Sequence, residues 1–481
     1  MFWRGVLGYL PANLVQAAVG LLTIVIFTRL LTPEQYGHYA LGFTVMSLVH
    51  TVLFTWNEAA LARFWAADDI KGEAHDHLAT IYRVWGMLVI ALPVAAGLTF
   101  LAPLNSGLRW AALAGVAAIL PRTLEKLFQE RRRAAGEVRG SVALDIGQTG
   151  GGFILGVALA WAGLGGAAPL LGAGLAAVLC VVFVFRGEWT RSFGGQFKHE
   201  RLRRYFAYGA PVSASLVLAL VLSSTDRLLI ATFLDEASVG VYHAGYSLAN
   251  RTLDVVFIWL GAAGGPALIM ALERGGAGSM REAAREQCGF MLLLTVPAAV
   301  GLAMVARPLA DILVGPDLRV GAAQVTPWIA ASGFLGGMTT YYFSQAFTLA
   351  RRTGRLLAAM SVPAIANVIL NFVLIPHFGL KGAMMATAIS YGLGLLVYIV
   401  LGRGPMALPI PWLTLAQTAF AAAVMALALS RLPSPGGVVE LAMKASLGAV
   451  IYGVIAYALD TGGLRSRAAD ALRLLRARTA T

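Results

Sequence analysis

Apolar runs of membrane-crossing length, separated by short polar punctuation, recur from one end of the chain to the other. About 20 apolar residues cross a bilayer as a helix. By that measure the pattern predicts fourteen spans, near 6–28, 39–62, 79–102, 109–129, 141–162, 164–185, 209–233, 239–264, 285–306, 322–349, 355–376, 380–402, 411–431 and 439–460. Two spans almost touch at Gly163, and 307–321 reads as a short re-entrant or interfacial piece. The expectation is an all-α polytopic membrane protein, and an even count puts both termini on one side.

Composition agrees with the pattern. Hydrophobic residues make up 58% of the 481 and charged residues 13%, with mean hydropathy +0.74; a soluble chain carries about 25% charged residues. The net charge of +13 raises nucleic acid as a partner, but the basic residues sit between apolar runs, where the positive-inside bias places them. With the N-terminus in the cytoplasm, the inner segments hold 26 Lys and Arg and the outer segments 6. That ratio predicts both termini in the cytoplasm, and the family resemblance given below implies a bacterial cytoplasmic membrane. The start, MFWRGVLGYLPANLVQAAVGLL, has no small-residue cleavage site ending a short apolar core and reads as an uncleaved helix. Cys180 and Cys288 lie far apart in apolar runs, which excludes a disulfide framework or cysteine metal site.

An internal repeat organises the spans. Shifting LLTPEQYGHYALGF by 203 residues places Leu31 on Leu234, Gly37 on Gly240, Tyr39 on Tyr242 and Phe43 on Tyr246. Two pseudo-symmetric six-helix lobes are therefore expected, at 1–185 and 209–402. An amphipathic cytoplasmic connector would join them at 186–208, two additional helices would follow at 403–460, and a basic amphipathic tail at 461–481 would lie on the inner leaflet.

Candidate chemistry lies in polar groups inside the spans, where a charge costs roughly 2.5–3.5 kcal/mol by insertion scales and so faces protein or a wet cavity. Arg122, Glu125, Lys126 and Gln129 share one helix face. They either line a cavity or neutralise one another in a packed bundle, with Lys126 reaching the inner surface. Asn13, Gln16, Gly20 and Thr23 form an uncharged stripe on the first span, Ser141, Asp145, Gln148 and Gly152 one on the fifth, and Asn367 and Asn371 sit one turn apart. Such stripes are packing glue or substrate contacts. Asp145 and Asp226 are intramembrane carboxylates that serve either as internal ion pairs or as proton or sodium coupling sites. Asp226 lies roughly 12 Å from the outer end of its span, and Arg227 points about 100° away from it on an ideal helix. Arg251 and Asp254 can pair locally, while His50, His243 and the tyrosines 36, 39, 242 and 246 read as structural.

No phosphate-binding glycine loop with lysine, no nucleophile–base constellation and no outer loop of domain size is present, which argues against an ATPase motor or a membrane enzyme such as a glycan polymerase. The stretch GQTGGGFILGVALAWAGLGG reads as close helix packing.

The segments FTRLLTPEQYGHYAL (27–41), STDRLLIATFLDEASVGVYHAGYSLAN (224–250) and NVILNFVLIPHFGLKGAMMATAIS (367–390) carry a resemblance that covers nearly the whole chain. It resembles the multidrug/oligosaccharidyl-lipid/polysaccharide (MOP) exporter superfamily, and within it the bacterial oligosaccharide flippases. The resemblance implies two six-helix lobes around a central cavity, alternating access, and export of an undecaprenyl-pyrophosphate-linked oligosaccharide for O-antigen, capsule or exopolysaccharide. Arg122, Lys126 and Arg251 would then attract the diphosphate, and the mid-span charges lean basic as this needs. The partners implied are the polyprenyl-pyrophosphate-linked glycan, membrane lipid, and a polysaccharide polymerase or glycosyltransferases beside a monomeric transporter without cofactor. The alternatives are a cation-coupled multidrug exporter and a lipid II flippase. The first span carries Arg4 and Arg29 only at its ends, a departure from the arginine-lined first helix that lipid II flippases imply.

Overall fold

The structure, a computed structural model, describes residues 2–350, 352–404 and 406–465. Its regular elements there are all helical: Phe2–Leu30 (α1), Pro33–Leu53 (α2), Thr55–Ile70 (α3), Ala74–Val89 (α4), Ala91–Leu101 (α5), Ser106–Ala134 (α6), Val138–Trp161 (α7), Ala168–Trp189 (α8) and His199–Phe233 (α9). They continue with Glu236–Met304 (α10), Ala306–Leu313 (α11), Pro316–Met338 (α12), Gln345–Leu349 (α13), Thr353–Phe378 (α14), Leu380–Leu401 (α15), Trp412–Ser430 (α16) and Gly437–Ala458 (α17). Helices are what these apolar sequences must form in lipid, where every backbone polar group has to be satisfied within the segment.

Each of the fourteen expected spans falls on helix. By length and apolarity, ten of the described helices can cross a membrane, or eleven with the bent pair α2–α3 counted as one span. The count differs from fourteen for physical reasons. α10 runs for 69 residues, enough for two crossings, and is interrupted where Gly276 takes a φ of 68°. α6 and α12 are long enough, at 29 and 23 residues, but too polar to qualify on apolarity. The break at Gly163 is real: α7 stops at Trp161, Gly163 adopts a φ of 89°, and a short 3-10 turn leads into α8. Residues 307–321 hold the short helix α11, eight residues long, and the start of α12.

One break was not legible. The second span bends by 50° at Phe54, between α2 and α3. α9 crosses closely there, because a Cβ on Gly209 would lie 2.2 Å from the Trp56 carbonyl oxygen. Ser213 of α9 donates its hydroxyl to the Thr51 carbonyl. Neighbouring helices commonly re-satisfy backbone groups freed at such a break.

The chain divides into two compact units, residues 1–243 and 244–481. This division falls later than the connector expected at 186–208. The reason is α9, which begins inside that stretch at His199 and packs against α2 and α3. The rest of the stretch finishes α8 and a 3-10 turn at Thr190–Ser192. Most of the stretch is exposed, and a few buried side chains, Glu188, Arg201 and Tyr205, anchor it. Asp68 of α3, almost fully buried, accepts from Arg201 Nη1 at 3.0 Å, from Arg204 Nη2 at 3.1 Å and from the Tyr205 hydroxyl at 3.2 Å, with His77 Nδ1 3.1 Å away. Arg201 also reaches Glu73 at 2.5 Å, and Lys198 reaches Asp76 at 2.8 Å. A second staple joins α6 to α8, where buried Arg131 donates to Glu188 at 2.8 Å and to Glu137 at 3.1 Å.

Within the first unit the two copies of the repeat meet. A Cβ on Gly37 would lie 1.8 Å from the Glu236 carbonyl oxygen, and one on Gly240 would lie 2.1 Å from the Pro33 carbonyl oxygen. Both glycines face the carbonyl four residues before the other, so the contact is reciprocal. The caps repeat too: Gln35 N–H donates to the Thr32 hydroxyl at 3.2 Å, and Ser238 N–H donates to Asp235 at 2.6 Å. The glycine-rich stretch of α7 and the start of α8 behaves as expected of close packing, since a Cβ on Gly172 would meet the Gly156 nitrogen at 2.3 Å. The second unit packs α14 with α15, α12 with α15 and α16 with α17. The amphipathic tail expected beyond 465 lies outside the described residues.

Candidate functional site

The polar face of α6 and its neighbours form the main intramembrane polar cluster of the first unit. Arg122 is half-buried and makes no hydrogen bond or ion pair with the described residues, although Glu125, Tyr39 and Glu58 are within Coulombic range. Glu125 is buried, and its Oε1 has no hydrogen-bond partner. Its charged neighbours are Lys126, Arg122, Asp145 and Glu58. Lys126 is satisfied locally: its ammonium donates to Gln129 at 2.8 Å and pairs with Glu130 at 3.0 Å. The four residues thus separate into two that are engaged along the helix, Lys126 and Gln129, and two that are not, Arg122 and Glu125.

Other spans supply the rest. Gln16 of α1 donates to both oxygens of Asp145 on α7 at 2.9 Å, so the partner of this carboxylate is a neutral amide rather than a cation. Asn13 is exposed and Gln148 half-buried. Glu58, just past the bend, accepts from or donates to His50 Nε2 at 2.8 Å, the direction set by the protonation states. His50 and Glu58 were not candidates from the sequence, where nothing indicated that the bend at Phe54 brings them together. Their spacing of eight residues was the only available signal. The expectation that the mid-span charges lean basic does not describe this neighbourhood, because Glu58, Glu125, Glu130 and Asp145 surround Arg122 and Lys126. Sequence counting missed this because the acids come from three helices.

Asp226 on α9 is fully enclosed. Tyr242 donates its hydroxyl to one carboxylate oxygen at 2.5 Å and the Arg227 N–H donates to the other at 2.8 Å. Arg227 bends back to place Nη1 3.8 Å from the same carboxylate, and it donates to the Ser223 carbonyl at 2.7 Å and to His243 at 3.2 Å. The helical-wheel separation of Asp226 and Arg227 is therefore overcome by a long, flexible guanidinium. No group of three or more His, Cys, Asp or Glu that could hold a metal ion occurs among the described residues.

In the second unit Arg251 is exposed and makes no hydrogen bond or ion pair with the described residues. The expected local pair with Asp254 does not form within 4 Å; Asn250, one turn away, donates to Asp254 instead, at 2.6 Å. Asn367 and Asn371 are buried, and Asn371 donates to the Asn367 side chain at 3.0 Å.

This architecture is shared with known transporters. The structure superposes on the lipid II flippase MurJ in an inward closed conformation with a TM-score of 0.75 at 13% identity, covering 93% of this chain and 98% of that one. It matches an inward-facing multidrug resistance MATE family transporter of the MOP superfamily with a TM-score of 0.62 at 15% identity, covering 82% and 94%. A MOP superfamily transporter from Pyrococcus furiosus matches with a TM-score of 0.51 at 14% identity, covering 83% and 92%. The chain therefore has the multi-span helical fold of the MOP-superfamily transporters. By sequence, residues 138–318 match the family described as polysaccharide biosynthesis protein. No curated protein matches the chain by sequence.

Proposed function

We propose that this protein is a flippase that moves a polyprenyl-pyrophosphate-linked oligosaccharide from the inner to the outer leaflet of the bacterial cytoplasmic membrane. It works by alternating access and serves surface polysaccharide biosynthesis (O-antigen, capsule or exopolysaccharide). The observation that carries the reading is the coincidence of a polysaccharide-biosynthesis match over 138–318 with a MOP transporter fold over most of the chain. At the level of residues it is supported by Arg122 and Arg251, two arginines with no carboxylate within ion-pair distance among the described residues. Arginine binds phosphate oxygens through charge-assisted, often bidentate hydrogen bonds. Each arginine is a candidate phosphate contact within its own unit, and Lys126 assists Arg122 after leaving its local partners. Asn13, Gln16, Glu125, Gln129, Gln148, Asn367 and Asn371 are polar groups along the path. Asp145, held only by an amide, is better placed than enclosed Asp226 to exchange a proton or sodium ion as the cycle turns. Both termini lie in the cytoplasm, and a polymerase or glycosyltransferases supply and consume the cargo beside a monomeric transporter.

The test is flipping in vesicles loaded with a polyprenyl-pyrophosphate oligosaccharide, scored by lectin binding at the opposite leaflet. Arg122→Ala and Arg251→Ala should each lower the rate at least tenfold with normal membrane insertion, and unchanged rates would remove both from the substrate path. The likeness to a lipid II flippase over 98% of that chain favours a second reading, in which the cargo is lipid II. Depletion separates the two: arrest of cell-wall synthesis supports the second, and loss of surface polysaccharide alone supports the first. A multidrug exporter would instead extrude a cationic dye against its gradient.

A further inference from the structure

Loops at one end of the first unit form an open recess of about 930 Å³, bounded by the starts of α2 and α6 and the turn between α7 and α8. We propose that this recess binds saccharide, and on the flippase reading, on which this inference rests, it receives the sugar end of the cargo. Small-molecule pockets span about 300–1,000 Å³, so the volume suits the end of an oligosaccharide.

The chemistry of the lining selects the class. It contains no lysine or arginine, which disfavours phosphate or pyrophosphate. Trp110, 67% exposed, presents an indole to the recess four residues into α6, and its ring has no aromatic or hydrogen-bonding partner among the described residues. The C–H face of a pyranose packs on such a surface through dispersion and the ring quadrupole. Around it stand hydrogen-bonding groups of both kinds. Thr32 and Gln35 each spend an oxygen on capping α2, at 3.2 Å, leaving the Thr32 O–H and the Gln35 amide N–H to donate. Asn105 is consumed, accepting from Leu108 N–H at 2.8 Å and donating to Glu236 at 2.7 Å. The Ser106 hydroxyl and the exposed Glu34 carboxylate remain. Beneath them His38 is buried, its Nε2 lacks a hydrogen bond, and Glu34 is 3.7 Å away. Neutral donors, a carboxylate acceptor and one open aromatic face match hydroxyl groups carried on a ring.

The experiment uses the full-length protein in lipid nanodiscs and, as probe, the repeat-unit oligosaccharide released from the host's surface polysaccharide by mild acid. Calorimetry should show binding to the wild type, weakened about tenfold in Trp110→Ala and largely restored in Trp110→Phe. Inorganic pyrophosphate should not compete. Arg122→Ala should bind the oligosaccharide normally while failing to flip the intact lipid, which separates failure of this inference from failure of the flippase reading. Absence of oligosaccharide binding, equal binding by Trp110→Ala, or a co-purifying lipid that only Trp110→Ala releases would each overturn the saccharide assignment.

Discussion

Arg122 and Lys126 sit one turn apart on the same helix, yet their surroundings differ enough to separate their roles. Lys126 exchanges its membrane cost for two local partners, whereas Arg122 has a buried carboxylate nearby whose Oε1 remains unpaired. Lys126→Ala should therefore depress flipping less than Arg122→Ala in the same vesicle assay. Equal losses would show that Lys126 leaves Glu130 to meet the cargo. Outside the membrane, Glu137 gives a pH prediction. Hydrogen bonding from the Arg131 guanidinium holds its carboxyl below the ordinary value of 4.5. A depressed carboxylate contributes stability that is complete above the unfolded value and fades as pH falls through the folded one. Acid-side loss of thermal stability should accordingly be shallower in Glu137→Gln than in the wild type below about pH 4.5.

Among the elements, the reciprocal contact between α2 and the start of α10 is the most constrained. Alanine is normally harmless in a helix, but at Gly37 its Cβ would fall 1.8 Å from the Glu236 carbonyl. The helices must separate to admit it, and packed interfaces relax only partly. Gly37→Ala and Gly240→Ala should each lower the melting temperature by several degrees, with the double variant costing less than the sum because one separation accommodates both. Full additivity would mean that the two glycines relieve independent clashes. Such a contact was half legible. The 203-residue shift that pairs Gly37 with Gly240 is visible in the sequence, but that the two copies face each other is not. The bend at Phe54 was wholly hidden, since TVLFTWNEAA contains neither proline nor glycine and the turn is stabilised by Ser213 from α9.

On the scale of the molecule, a buried charge network ties the start of α9 to α3 within the first unit. Asp68 gathers His77, Arg201, Arg204 and Tyr205 around one carboxylate, and Arg204 also stacks 4.5 Å over Phe64. Removing one member of a buried, hydrogen-bonded charge cluster costs about 3–5 kcal/mol because the remaining charges lose their partner. Asp68→Ala should release the start of α9, seen as new tryptic cleavage after Lys198 and earlier thermal unfolding. Unaltered proteolysis would assign the attachment to the apolar packing of Phe64 and Tyr205 instead.

Lipid-length apolarity was enough, from the sequence alone, to determine an all-helical chain of membrane-crossing helices, and the repeated turn is visible there too. These signals are local or additive, because each depends on the solvent that a segment meets rather than on its neighbours. Only the tertiary structure decided which charges are partnered. Arg131 and Arg201 count as inner-surface charges in the sequence, yet carboxylates from other segments bind them inside the protein. Arg122 looks no different from Lys126 along the helix, but only Lys126 has a partner. Charge pairing is a short-range function of position in space, and helices far apart in the chain supply most of the positions that matter here.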